Sequence, residues 1–261
     1  MTRVIKPPFP QLVAHRGNRA AFPENTLSSI TSALRCGARF VEFDVQFSQD
    51  EVPIVIHDVE LKRITGTPAN LFHMQQHELS SLSACEPERF GDRFAAEPIA
   101  SLADIAALLQ QWPQAKAFVE MKRASITQFG SDCVMQRIHQ VLQPILDQCI
   151  LISFNHAILQ HHLATQFHAI GWVFDQWAES ALEIAQQLQP DYLFVDVDCI
   201  PRDIEGLWQG HWQWVIYEIS DPMLALQWAK QGVQLIETDD VCGMLNNPVF
   251  MDNLIHTNGD T

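Results

Sequence analysis

The alternation of short apolar segments with longer helical patterns most constrains the fold of this 261-residue chain. Eight segments have the length and apolar content of buried strands, and helical patterns separate most of them. The strands are predicted at residues 12–14, 40–45, 117–121, 150–153, 169–173, 192–195, 214–217 and 234–237. The helices are predicted from Asn25 or Thr26 to about Cys36, and at 101–111, 132–146, 157–166, 178–188 and 222–230. Eight parallel βα units predict an α/β fold, the (β/α)₈ or TIM barrel, with its active site at the carboxyl ends of the strands.

The chain is predicted to form one domain, residues 1–261, because no linker rich in proline, glycine or serine divides it. Residues 58–100 interrupt the alternation with about forty residues of mixed polarity. We expect this segment to be an insertion over the mouth of the barrel. A poorly ordered surface excursion is the alternative.

The net negative charge of the chain argues against two classes of binding partner. Sixteen Lys and Arg stand against 31 Asp and Glu, a formal net charge of −15, which opposes binding to nucleic acid and to anionic membranes. We expect no stable membrane insertion, since no run approaches the roughly 20 apolar residues of a span and the first ten residues lack the apolar core of a secretory signal. An anionic small-molecule substrate would need a local cation.

The cysteines are widely scattered and show no CxxC spacing. This pattern favours reduced, mostly buried thiols over a disulfide framework, and with it a cytoplasmic location. The six positions are Cys36, Cys85, Cys133, Cys149, Cys199 and Cys242.

Two carboxylates share one face of the strand predicted at 40–45. Glu42 and Asp44 alternate with apolar residues, so if the apolar face packs on the helices, both carboxylates point into the barrel. Two uncompensated negative charges there would be costly. A divalent cation resolves this cost, and ion pairs with lysines or arginines of the barrel are the alternative.

The strand predicted at 117–121 repeats this arrangement, because Glu120 and Lys122 share a face. Glu120 can complete a three-carboxylate site, which suits Mg²⁺ or Ca²⁺ better than zinc, since no cysteine or histidine cluster accompanies it. Lys122 then offers a positive charge to a phosphate oxygen. An ordinary ion pair with Glu120 is the alternative.

Two histidines, His15 and His57, each follow an apolar run and precede a charged residue. A pair of such residues beside carboxylates can divide general-base and general-acid work, although a lone histidine at a strand end is more often structural. Arg16 offers a planar fork for phosphate oxygens, or forms an ion pair. Asp58 orients a histidine or caps a turn. Together these residues suggest metal-assisted cleavage of a phosphodiester.

With these residues in these positions, the chain resembles the glycerophosphodiester phosphodiesterases. Agreement covers nearly the whole chain and is most specific in the first sixty residues. The matching segments are His15-Arg16-Gly17, Pro23-Glu24-Asn25-Thr26, residues 37–45, His57-Asp58 with Leu61 and Arg63, Glu120-Met121-Lys122, Ser153-Phe154, Gly232-Val233 and Thr238-Asp239.

The resemblance implies a TIM barrel with a short insertion after the second histidine, and hydrolysis of glycerophosphodiesters to sn-glycerol 3-phosphate and an alcohol. It also implies roles that coincide with those suggested by strand parity. By similarity, His15 and His57 are the acid/base pair, Glu42, Asp44 and Glu120 hold a divalent cation, Mg²⁺ or Ca²⁺, and Arg16 and Lys122 bind the phosphate.

The chain departs from the family near its C-terminal end. Residues 217–220 read Tyr-Glu-Ile-Ser where the family often has Trp-Thr-Val-Asn, and Glu237 replaces an apolar or small residue. If Glu218 or Glu237 points into the mouth, we expect a cationic head group such as choline or ethanolamine to be favoured; strand parity does not decide between them. The alternative functions are a phospholipase D-like enzyme cleaving lysophospholipids or sphingolipids, and a catalytically silent barrel that binds phosphodiesters.

Overall fold

The computed structural model describes residues 9–251 and places nine strands in one sheet. Eight of them are parallel and close into a barrel, because β1 pairs with both β2 and β9, so the predicted TIM barrel is confirmed. β3 is an antiparallel addition to β2, with Val45 opposite Val55. The strands are β1 (Gln11–Ala14), β2 (Phe40–Phe47), β3 (Pro53–Val55), β4 (Lys116–Met121), β5 (Cys149–Ser153), β6 (Ala169–Phe174), β7 (Tyr192–Asp196), β8 (Gln213–Tyr217) and β9 (Leu235–Thr238).

Helices surround the barrel and agree with most of the predicted stretches. Thr26 caps α1, since its hydroxyl accepts from the Ser29 amide. The α-helices are α1 (Leu27–Arg35), α2 (Lys62–Thr65), α3 (Gln76–Leu79), α4 (Pro87–Phe90), α5 (Leu102–Leu109), α6 (Arg123–Phe129), α7 (Ser131–Leu142), α8 (Glu179–Leu188), α9 (Pro222–Lys230) and α10 (Val241–Leu245). Among the described residues, no helix combines the length and the apolar character needed to cross a membrane.

Two predicted helices differ from the structure. The helix expected at 132–146 ends as α7 at Leu142 and continues as the 3₁₀ helix Gln143–Gln148, because Pro144 cannot supply the amide that an α-helix needs there. The prediction of a helix at 157–166 is wrong. It is replaced by two short 3₁₀ helices, Ile158–Gln160 and His162–Gln166.

Side chains inside the barrel form layers. Phe118 lies at its centre, with ring centroids 5.6 Å from Phe40, 5.1 Å from Tyr192 and 5.0 Å from Phe194. These apolar side chains fill the lower interior. Two residues further along β2, β4 and β9, the next inward positions are Glu42, Glu120 and Glu237, so the polar site begins directly above the apolar floor.

Residues 58–100 contain α2, α3 and α4. An apolar cluster anchors the segment to β3, and its members are Ile54, Ile56, Leu61, Ile64, Leu71, Leu79 and Ala84. Two arginines tie it to the loop after β1: an Arg63 Nη2 lies 2.7 Å from Glu24 Oε1, and an Arg89 Nη2 donates to the Arg19 carbonyl at 2.5 Å. We propose that this segment is an insertion over the mouth of a single-domain barrel.

A disulfide joins Cys36, at the end of α1, to Cys242 in α10, with their Cα atoms 5.5 Å apart. The prediction of six reduced thiols is therefore wrong for this pair, and the prediction that most are buried is wrong too, since Cys149 alone of the four free cysteines is buried. Closure of the barrel explains the pair, because it brings the first and last strands, and the helices that follow them, together. A cytoplasmic location stays a prediction and loses the support of the cysteines.

Reducing this disulfide is expected to lower the free energy of unfolding by about 2–4 kcal/mol, because the link closes a loop of more than two hundred residues in the unfolded chain. Urea unfolding with and without dithiothreitol measures the difference. The Cys36→Ser/Cys242→Ser variant is the control and should not respond to the reductant. Equal unfolding midpoints for the oxidised and reduced wild type would contradict the prediction.

Candidate active site

Three carboxylates meet above the apolar floor of the barrel. Asp44 on β2 lies in register with Glu120 on β4, and Glu42 is the preceding inward residue of β2. One carboxylate oxygen from each lies within 4.8 Å of the others, and all three residues are buried. The structure therefore brings together the three carboxylates that strand parity directed into the barrel, while Val41, Phe43 and Val45 pack against the helices.

Two cations accompany these carboxylates. Lys122 Nζ lies 3.1 Å from Asp44 Oδ1 and 2.8 Å from Glu120 Oε1. Arg16 Nε lies 3.1 Å from Asp44 Oδ2. Burial opposes ionisation of Asp44, but Lys122 and Arg16 outweigh it and hold the pKa of this carboxyl well below its usual range. The ion pairs considered as an alternative to a metal are thus present in this structure.

Glu42 is the least compensated member of the group. Its Oε2 accepts from the Arg16 backbone amide at 3.0 Å, whereas its buried Oε1 has no hydrogen-bond partner among residues 9–251. Burial and the neighbouring charge of Asp44 raise the pKa of Glu42 well above its usual value. A buried carboxylate oxygen without a partner, next to two further carboxylates, fits a hard divalent cation.

His57 is held by an acidic neighbour. Its Nδ1 lies 2.6 Å from Asp58 Oδ1, and Arg63 Nε donates to Asp58 Oδ2 at 2.6 Å. The hydrogen bond with His57 lowers the pKa of Asp58 below its usual range, so the carboxylate is ionised and Nδ1 carries the proton. Of the two roles considered for Asp58, the structure shows the orienting contact, which leaves Nε2 of His57 free of this pairing.

His15 is held in a similar way by a distant residue. Its Nδ1 lies 2.8 Å from Asp239 Oδ1, just after β9, and its Nε2 lies 3.5 Å from Glu237 Oε1. Burial opposes a charged imidazole, but the charge of Glu237 and the hydrogen bond with Asp239 outweigh it, so the pKa of His15 is raised.

Sequence reasoning placed Asn25 as one of two candidate N-caps of α1, and it assigned no role in the site to Glu24, Asn25 or Asp239. The fully buried carboxylate of Glu24 contacts Arg16 Nη1 at 2.9 Å. The Asn25 amide donates to Asp44 Oδ2 at 2.8 Å, and its oxygen accepts from the Asp44 amide at 3.0 Å. Asn25 adopts φ of 59°, a left-handed conformation that asparagine tolerates better than most residues. The only signal in the sequence was that all three belong to segments matching the family.

The Glu24→Gln variant is expected to unfold more easily by about 3 kcal/mol at neutral pH, the scale for breaking a buried ion pair. Burial opposes the charge of Glu24, but Arg63 and Arg16 outweigh it and lower the pKa from 4.5 to about 2. This stabilisation is therefore present above the unfolded pKa and is lost as the pH falls toward 2. Urea unfolding between pH 7 and acid measures it; a difference from wild type that does not shrink on acidification would contradict the ion-pair explanation.

A cavity of about 90 Å³ opens above the carboxylates. Glu218 and Glu237, two of the residues at which the chain departs from the family pattern, line this cavity in different places. Glu237 is buried in the wall beside His15, whereas Glu218 is exposed after β8. The predicted site residues other than Asp44 share this one opening, since it is also lined by His15, Arg16, Glu42, His57, Glu120 and Lys122. Asp44 does not line the cavity but contacts Arg16 and Lys122.

This arrangement suits cleavage of a phosphodiester. Cations stand beside a carboxylate cluster that fits a divalent metal, and two histidines with fixed Nδ1 atoms flank the same cavity. Positive groups can offset charge on phosphoryl oxygens, and imidazole can transfer protons near neutral pH.

Comparison with known proteins agrees with this chemistry. The model of the Glycerophosphoryl diester phosphodiesterase family matches residues 15–189. A glycerophosphodiester phosphodiesterase of Caldanaerobacter subterraneus subsp. tengcongensis is 26% identical over 249 residues, which is 90% of this chain and 96% of the relative. Human glycerophosphodiester phosphodiesterase 1 is 33% identical over 95 residues, 36% of this chain and 29% of that protein.

Solved structures share the fold. An Oleispira antarctica phosphodiesterase, in complex with the product sn-glycerol-3-phosphate, has a TM-score of 0.78 at 24% identity and covers 90% of this chain and 95% of its own. The glycerophosphodiester phosphodiesterase of Thermotoga maritima has a TM-score of 0.69 at 20% identity, covering 90% and 97%. The family match spans well over half of the sequence and confirms the resemblance seen in the motifs. The chain therefore belongs to the glycerophosphoryl diester phosphodiesterase family.

Proposed function

We propose that this enzyme hydrolyses glycerophosphodiesters to sn-glycerol 3-phosphate and an alcohol, with His15 and His57 transferring protons and a divalent cation held by carboxylates. One observation supports this most directly: two histidines, each anchored at Nδ1 by a carboxylate, line the same small cavity as the buried acidic cluster. The Oleispira relative binds the product that this reaction would release.

The donor set suits Mg²⁺ or Ca²⁺, because Glu42, Asp44 and Glu120 offer only carboxylate oxygens. When bound there, the cation supplies charge stabilisation to the phosphoryl oxygens. Arg16 and Lys122 lie against Asp44 and extend the positive region toward the cavity. These two side chains bind and orient the phosphate, and their contacts with Asp44 fix where they sit.

The two histidines transfer protons at the attacking oxygen and at the leaving oxygen. The glycerol 2-hydroxyl is the nucleophile that we propose for the first step, since it is already close to phosphorus within the substrate. One histidine accepts its proton and the other donates a proton to the departing alcohol, which leaves a cyclic phosphate on the glycerol. In the second step water attacks phosphorus and gives up a proton to a histidine. The bond between phosphorus and the 2-oxygen then breaks as that oxygen is protonated, which releases glycerol 3-phosphate. The Nδ1 contacts to Asp239 and Asp58 fix the ring orientations, which leaves Nε2 as the atom that exchanges the proton.

A coupled assay for glycerol 3-phosphate, run beside an assay for the released head group, tests this function. The second assay is needed because phospholipase D-like cleavage of a lysophospholipid or a sphingolipid releases the head group but no glycerol 3-phosphate. Glycerophosphodiesters with different head groups, a lysophospholipid and a sphingolipid are supplied with and without EDTA. We expect release of glycerol 3-phosphate from the glycerophosphodiesters and its loss in EDTA. Cleavage of the lipids alone would favour the phospholipase D-like alternative, and no cleavage of any substrate would favour a silent phosphodiester-binding barrel.

Glu218 is expected to favour a cationic head group, because its exposed carboxylate stands at the rim of the cavity. In the Glu218→Gln variant, kcat/KM for glycerophosphocholine should fall about fivefold relative to an uncharged glycerophosphodiester, which corresponds to an exposed electrostatic interaction of about 1 kcal/mol. Glu205→Gln is the matched control, since it removes one exposed charge outside the cavity. An unchanged ratio would assign head-group preference to other residues.

A further inference from the structure

Glu237 is a buried acid that the proposed reaction does not use. It is 4% exposed on β9, and its Oε2 has no hydrogen-bond partner among residues 9–251. Its other oxygen lies 3.5 Å from His15 Nε2. Burying a carboxylate oxygen without a partner is costly unless something else satisfies it.

A second unpartnered oxygen lies nearby. Glu42 Oε1 is buried without a hydrogen-bond partner in the described part of the chain. One donor atom from each of His15, Glu42 and Glu237 lies within 4.8 Å of the others, and all three residues are buried. Glu42 also belongs to the cluster with Asp44 and Glu120, so two groups of three potential ligands adjoin and share one carboxylate.

His15 has the environment typical of a metal-ligating histidine. Such a residue usually donates its second ring N–H to a carboxylate, which fixes the ring and makes the other nitrogen a better donor. The Nδ1 of His15 pairs with Asp239 at 2.8 Å, and the remaining Nε2 faces the carboxylate of Glu237. The ring nitrogen that does not pair with Asp239 therefore lies beside the carboxylate of Glu237, and Glu42 offers a third donor atom within 4.8 Å.

We propose that His15, Glu42 and Glu237 form a second divalent-cation site, which takes a transition-metal ion such as Zn²⁺ and adjoins the carboxylate site through Glu42. One imidazole and two carboxylates suit zinc better than Mg²⁺ or Ca²⁺, and three protein ligands with an open fourth position are a usual zinc arrangement. Donors at zinc-ligand distances of about 2.1 Å stand about 3.4 Å apart in a tetrahedron. Three atoms within 4.8 Å reach this by small side-chain shifts.

This second cation site goes beyond the proposed function, because zinc binding to it can be measured when no substrate is present. Occupancy of the site and proton transfer by His15 exclude one another, since both use Nε2. The two roles are therefore measured separately: zinc binding in the absence of substrate, and hydrolysis in the absence of zinc.

Isothermal titration calorimetry with Zn²⁺ in excess Mg²⁺ tests the site. Wild type is expected to bind one more Zn²⁺ per chain than the Glu237→Gln and Glu237→Leu variants. Glutamine preserves the shape of the side chain, and leucine fills the buried position with an apolar group, so at least one variant should keep the fold, checked by circular dichroism. Glu205→Gln is the control for charge and should match wild type.

Asp239→Asn provides an independent readout. If Asp239 orients His15 as a ligand, this variant should keep the additional Zn²⁺ but bind it about 10–100-fold more weakly. The proposal is overturned if a folded Glu237 variant binds the same number of Zn²⁺ as wild type with the same affinity. Glycerol 3-phosphate release is measured separately on the same protein preparations without added Zn²⁺. If no glycerol 3-phosphate is released but the wild type still binds the additional Zn²⁺ in the titration, the result counts against the proposed function alone.

Discussion

The Glu42→Gln and Asp44→Asn variants are expected to lose Mg²⁺ or Ca²⁺ binding and at least about a hundredfold in turnover. Each substitution removes one of three carboxylates that converge within 4.8 Å, and loss of charge stabilisation at a phosphoryl group is of this scale. Calorimetry with the metal alone measures binding, and the coupled assay measures kcat.

The two variants separate the role of the cation from that of the ion pairs. The Glu42 side chain pairs with the Arg16 backbone amide, whereas Asp44 also contacts the charged groups of Arg16 and Lys122. Asp44→Asn should therefore raise KM as well, since the phosphate-binding cations lose their anchor. Full wild-type activity in EDTA, with no cation retained on elemental analysis, would show that the carboxylates act through these ion pairs alone.

The His57→Ala and His15→Ala variants are each expected to remain folded and to lose about 10²- to 10⁴-fold in kcat, the range for a positioned proton-transfer group. His57 is partly exposed and lies outside the strands, so its removal should change stability little. Circular dichroism and thermal unfolding verify the fold of both variants.

Asp58→Asn is the matched comparison for His57, because it disturbs the ring orientation while leaving the imidazole in place. Its loss of kcat should be smaller than that of His57→Ala, because the imidazole that transfers the proton is still present. Near-normal kcat in His57→Ala would make this histidine peripheral to the reaction.

The inward direction of the central acids followed from the sequence. Side chains alternate across a strand with a period of two, so the apolar set Val41, Phe43 and Val45 determined that Glu42 and Asp44 point the other way. The same local rule placed Glu120 and Lys122 together. Strand parity needs no knowledge of the neighbouring strands, which is why it succeeded on β2 and β4.

Choices that depended on packing could not be made this way. Parity left Glu218 and Glu237 undecided, and the structure buries Glu237 in the barrel while exposing Glu218 at its rim. The segment at 157–166 has a helical pattern but forms two 3₁₀ helices, since local propensity is a weak guide where tertiary contacts compete.

The sequence by itself determined the barrel, the inward direction of the central carboxylates and the two histidines beside them. Only the tertiary structure decided which side chains pair with one another. It pairs Arg16 with Glu24, His15 with Asp239, and Cys36 with Cys242. The last two pairs join residues more than two hundred positions apart. They meet because β1 pairs with β9 to close the barrel, and closure and register arise from the packing of the whole sheet, which no local pattern encodes.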